Sequence, residues 1–137
     1  MRVIRYLLKL KTNKLKMSAR SFKETTVYRK AFALAMEIFE ISKTFPKEER
    51  YSLTDQIRRA SRSVCTNLAE AYRKKIYPSH FVSKVTDSDM ENSETGVWLD
   101  FSIACSYMSE EVYLKLSNEN EEVGKLLNHM IHNPEKY

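Results

Sequence analysis

Glycine and proline are nearly missing from this chain of 137 residues, which has only Gly96 and Gly124 and only Pro46, Pro78 and Pro134. No run alternates valine and threonine with polar residues, so sheet architectures are excluded and an all-helical protein is expected. Cysteine is scarce as well. Cys65 and Cys105 fall in separate predicted helices, without CxxC spacing or a secretory signal, and read as reduced, buried small residues of a cytoplasmic protein. Apolar runs are too short for a membrane span or a signal-peptide core. Glycine-rich phosphate loops and Gly-x-Ser-x-Gly are absent, so no catalytic residue is nominated and no enzyme is expected. Asp87, Asp89 and Glu91 alternate like a calcium loop, but its sixth and twelfth places hold Asn92 and Trp98 instead of glycine and glutamate. None of His80, His129 and His132 follows a glutamate at the Glu-x-x-His interval of bundle metal sites, so neither metal nor cofactor is expected.

What the chain does have is charge, unevenly placed. The formal net charge is +5, yet residues 1–20 carry seven cations and no acid. The other 117 residues hold 16 bases against 18 acids, a net of −2. Residues 47–75 are positive, with eight bases and four acids, whereas 76–137 are negative, with four bases and eleven acids. Such a two-sided body can orient a partner or a second subunit. The basic tail, residues 1–20, fits three readings: a nucleic-acid-binding arm, an amphipathic helix on an anionic membrane surface, or a segment ahead of a true start at Met17.

Residues 21–133 read as one up-down antiparallel four-helix bundle, followed by a short tail at 134–137. The first helix begins near Ser21, which has capping-box spacing to Glu24, and places Tyr28, Ala31, Phe32, Ala35, Phe39 and Ser42 on one face. A second helix is capped by Ser52 and runs to about Lys75, with Leu53, Ile57, Ala60, Val64, Leu68 and Ala71 as its core stripe. The third runs from Ser79 to about Tyr107 and turns Phe81, Val85, Ser88, Asn92, Thr95, Leu99 and Ile103 inward, a face that is polar in its middle. The last is capped by Ser109 and buries Val112, Leu116, Val123, Leu127 and Met130. Both glycines lie inside these helices, at roughly 1 kcal/mol each relative to alanine, which implies close approach of neighbouring backbones.

Two faces remain outside the core. On the second helix Arg58, Arg62 and Arg73 lie opposite the apolar stripe, and Lys74 and Lys75 extend them; the arrangement fits a solvated face or a phosphate-facing surface. On the third helix Val97, Trp98, Leu99, Phe101, Ile103 and Ala104 are distributed all round the axis. A helix apolar on every side must be buried on every side, so Val97, Trp98 and Phe101 are expected at an interface between copies. Arg59, at the edge of the core stripe, is expected to pair with Glu91 or Glu94 across the helix interface.

The stretch FPKEERYSLTDQIRRASRSVCTNLAEAY also resembles the signature of the four-helix-bundle proteins encoded in intervening sequences of bacterial 23S rRNA genes, a family that includes accessory proteins of diversity-generating retroelements. Phe45, Pro46, Leu53, Gln56, Arg59, Ala60, Asn67, Ala69 and Glu70 carry the resemblance, with Cys65 where proline is common and Ala71 where glycine is common. ENSETGVWLDFSIACSYMSEE and EEVGKLLNHMI are similar to the family's third and fourth helices, so the likeness spans about Tyr28 to Ile131. It implies a ring-shaped homopentamer and a non-enzymatic RNA-associated or nucleic-acid-binding role. An oligomeric scaffold that docks a protein such as a reverse transcriptase is the alternative.

Overall fold

The computed structural model describes residues 2–6 and 21–137. Four long helices carry the fold: α1 (Thr26–Ser42), α2 (Leu53–Arg73), α3 (Pro78–Ala104) and α4 (Glu110–His132). Each packs on the next and α4 closes back on α1. Two apolar clusters give the direction of each helix. One joins Val27 and Ala31 of α1 to Leu68 and Ala71 of α2, Phe81 and Val85 of α3, and Leu127 and Met130 of α4. The other joins Leu34 and Ile38 to Leu53 and Ile57, Leu99 and Leu116. The start of α1 therefore lies beside the end of α2, the start of α3 and the end of α4, the arrangement of an up-down bundle.

Caps explain where the helices begin. Ser109 accepts from Val112 N at 3.1 Å, as its position in the sequence implies. Ser21 instead accepts from Lys23 N at 3.2 Å within a short 3-10 turn, Phe22–Glu24, and α1 proper is capped by Thr25, which accepts from Tyr28 N at 3.2 Å. The Ser52 hydroxyl makes no cap bond; the Glu49 carboxylate reaches forward to Leu53 N at 3.4 Å. Pro78 occupies the first turn of α3, where a missing N–H is harmless.

Between the apolar clusters lies a polar layer. Ser88 donates to the Val64 carbonyl at 2.8 Å, and the Asn92 amide donates to the Asn120 carbonyl at 3.0 Å. The two glycines sit here. A Cβ on Gly96 would stand 2.9 Å from Asn120 Nδ2, and one on Gly124 would stand 3.1 Å from Asn92 Nδ2. Asn92 with Gly96 on α3, and Asn120 with Gly124 on α4, thus interlock asparagine to glycine across the antiparallel pair. The close approach expected at both glycines is therefore made by an asparagine side chain and not by a neighbouring backbone.

The packing differs from expectation at several positions. The α1 core is carried by Val27, Leu34 and Ile38, while Phe32 and Phe39 lie only partly buried at its edges. Ser102 is buried in place of Ile103, and Cys105 is exposed, although Cys65 is buried and its thiol is pushed up to about 12 by that burial. Among the described residues no helix is long and apolar enough to cross a membrane. Of the basic tail, with its three readings, residues 1 and 7–20 fall outside the described residues. Within 2–6, Tyr6 stacks on Phe32 with ring centroids 4.5 Å apart.

Candidate nucleic-acid interface

The cations of α2 divide into two groups. The first gathers round Phe39, whose ring closes the seam between α1 and α2. Arg58 lies with its guanidinium carbon 4.9 Å from the ring centroid, Arg62 at 5.4 Å, and Lys43 Nζ at 4.7 Å. Three cations share one aromatic ring, each attracted by its quadrupole. Arg58 is held further, since its Nε donates to Ser42 Oγ at 2.7 Å. Beside them a shallow depression of about 360 Å³ is lined by Asp55, Arg58, Arg59, Arg62, Ser63 and Thr66. Guanidinium and hydroxyl donors around one hollow can meet phosphate oxygens from several directions.

The second group is Arg73, Lys74 and Lys75, all exposed at the end of α2. It lies about 16 Å beyond Arg62 at 1.5 Å per helical residue. The preceding acid on the helix, Glu70, is paired with Lys84 at 2.9 Å. From Ala71 to Ser83 the chain has no carboxylate at all. Arg58, Arg62 and Arg73 thus do lie along one side of α2, although Arg58 belongs to the seam with α1 and is the least free of the three.

The expected pairing of Arg59 with Glu91 or Glu94 is not formed. Arg59 is exposed, and no ion pair joins it to either acid. One residue is 100° of helix rotation, enough to put Arg59 outside the α2–α3 seam, which Ala60, Val64 and Ser88 fill instead. Glu94 accepts from Trp98 Nε1 at 3.2 Å. Glu91 is raised above the ordinary carboxylate range, first by burial and then by the neighbouring Glu94 charge, with Arg59 pulling weakly the other way. Arg58→Ala is therefore expected to lower the melting temperature more than Arg59→Ala. The first removes a hydrogen bond from a charged donor and a cation–π contact, together about 2 kcal/mol, while the second changes an exposed side chain by no more than about 0.5 kcal/mol. Thermal unfolding of the two variants checks the order.

The three residues expected between copies are placed on one flank of α3. Val97 is 48 % exposed and Phe101 52 % exposed, with Trp98 partly buried and tilted against Phe101 at 5.8 Å. Met90 continues the stripe. Among the described residues nothing covers Val97 and Phe101.

Two residues that reasoning from the sequence left out belong to the surface: Lys43, which follows the end of α1 and pairs with Glu40 at 3.2 Å, and Arg59, expected instead in an ion pair. The paired spacings Phe39 with Lys43 and Arg58 with Arg62, each four apart, were the available signal. Among the described residues no three His, Cys, Asp or Glu side chains converge on a metal position.

The profile of the 23S rRNA-intervening sequence protein family matches residues 11–129, beginning ahead of Met17. The crystal structure of a protein of unknown function from the S23 ribosomal protein family of Bacteroides thetaiotaomicron is similar at 28 % identity, covering 77 % of this chain and 95 % of that one with a TM-score of 0.70. No curated protein matches this sequence.

Proposed function

This chain belongs to the family of 23S rRNA-intervening sequence proteins, and from that premise we propose that it is a non-enzymatic nucleic-acid-binding protein acting in the cytoplasm as a homo-oligomer. The observation that carries the reading is the acid-poor row of cations along α2, from Arg58, Arg59 and Arg62 to Arg73, Lys74 and Lys75, with Glu70 paired to Lys84, which also bridges Asp87. Cations on a rigid helix fix a phosphate backbone in register without reading its sequence. The exposed stripe of Met90, Val97 and Phe101 supports assembly, because apolar area of this kind is stabilised by cover. A ring of five is the assembly implied by the family resemblance. The same stripe favours a second reading, in which a different protein covers it and the bundle is a docking scaffold.

The test is binding of RNA and DNA across a salt titration, with the oligomeric state fixed by light scattering. Replacing Arg59, Arg62 and Arg73 together by glutamine leaves the core untouched and is expected to reduce the slope of log affinity against log salt by roughly 2–3, about 0.7–0.9 for each phosphate no longer neutralised. Absence of salt-sensitive binding by the unaltered chain, or an unchanged slope in the variant, would leave the scaffold reading.

A further inference from the structure

Each end of the cationic row carries an exposed aromatic ring. Tyr51, 85 % exposed, stands just before α2 with the Arg50 guanidinium carbon 5.4 Å from its ring centroid. Tyr77, 54 % exposed, stands just after it, directly following Arg73, Lys74, Lys75 and the still more exposed Ile76. Neither ring belongs to an apolar cluster of the core. Tyr77 has extended backbone, and the fixed φ of Pro78 begins α3 immediately after it, so the ring is presented from a short, constrained turn. The 21 residues of α2 separate the two rings by about 30 Å.

We infer that this face binds a single-stranded polynucleotide, with unstacked bases lying on Tyr51 and Tyr77 and the intervening phosphates on the α2 cations. The inference rests on the nucleic-acid reading above and narrows it. A duplex offers phosphates to the cations but keeps its base faces stacked inside, where a tyrosine ring cannot reach them. A single strand offers both, and aromatic platforms beside a basic track are how proteins bind it without sequence preference. The span suits a site of a few nucleotides or more, within the roughly 4–16 found for single-strand binders. An anionic lipid surface would engage Ile76 and Tyr77, yet it gives no role to Tyr51, whose sequence neighbours are Arg50 and Ser52.

The experiment is fluorescence anisotropy with one mixed sequence of about 20 nucleotides, offered as single-stranded RNA, as single-stranded DNA and as duplex. Full-length protein is compared with Tyr51→Ala/Tyr77→Ala and with Tyr51→Phe/Tyr77→Phe. Single strands are expected to bind tighter than duplex, and the alanine pair to lose roughly tenfold or more for each ring on single strands only. The phenylalanine pair keeps its affinity, and the salt slope stays the same in all three proteins because no cation has changed. The RNA and DNA arms state which sugar is preferred; stacking alone predicts similar values. Equal binding of duplex and single strand, or equal losses on both, overturns the inference while leaving cation-driven binding standing. Loss of binding to phosphatidylserine vesicles in the alanine pair, with single-strand affinity intact, overturns it in favour of a membrane surface. No binding of any nucleic acid removes this inference and the reading beneath it together.

Discussion

Asn92→Asp is expected to destabilise the bundle by about 3–5 kcal/mol at neutral pH, the scale for an uncompensated buried charge, and to recover most of that loss on acidification. Asn92 is buried, and its amide donates to the Asn120 carbonyl at 3.0 Å. A carbonyl can only accept, so the group facing it must be a donor. An aspartate of the same shape has none when ionised, and it would set a negative charge against a carbonyl oxygen in the middle of the polar layer. There is no slack to turn away, because Gly124 already leaves only the space of a hydrogen at 3.1 Å from Nδ2. The carboxyl therefore keeps a proton in the folded state, and its folded pKa lies above its unfolded value. A group raised in this way is tolerated below the unfolded pKa, and its contribution is lost as pH rises through the folded one. Urea unfolding at about pH 5 and about pH 8, each compared with the unaltered protein at the same pH, measures the difference. A deficit of equal size at both values would mean that Asn92 matters only for its volume.

The interlock behind that expectation was half legible. Two glycines inside helices announce that something comes close, since a helix otherwise does better with alanine. What comes close depends on the antiparallel offset of α3 and α4, which no local pattern encodes. Only the repeat of asparagine four residues before glycine, Asn92 with Gly96 and Asn120 with Gly124, hints at it. The α2 stripe was fully legible, because Leu53, Ile57, Ala60, Val64, Leu68 and Ala71 are all buried and their spacing of four and three needs no tertiary information. On α1 Tyr28 is buried and Phe32 packs against the core as their spacing implies, but Phe39 misleads. Phe39 is partly buried but joins neither apolar cluster and is a platform for Arg58, Arg62 and Lys43, a role decided by the neighbouring helix. The exchange of roles between Arg58 and Arg59 has the same origin. Adjacent residues differ by 100°, and only packing decides which of two arginines meets Ser42 and which meets water.

The apolar flank of α3 leads to the second large effect. Val97→Asp/Phe101→Glu is expected to reduce the species seen by light scattering to a single chain of 16.1 kDa while leaving thermal unfolding of the bundle little changed. Both side chains are about half exposed in one chain, so they contribute little to its core. Between copies, cover of the remaining half would stabilise assembly by about 0.8–1.5 kcal/mol for each side chain, half the value for full burial. Carboxylates there reverse the sign, since a buried unpaired charge is costly. The consequence extends to nucleic acid. In the proposed assembly each copy would add a further row of cations on its α2, and simultaneous engagement of several rows would raise affinity by about 10²–10⁴ with the same interactions in each copy. The monomeric variant keeps every cation and both tyrosines, yet its affinity for a strand long enough to cross several copies falls by that order, while affinity for a short strand is unchanged. A variant that stays assembled places the interface elsewhere. One that dissociates without losing affinity for the long strand means that each bundle binds alone, and the assembly then serves a purpose other than avidity.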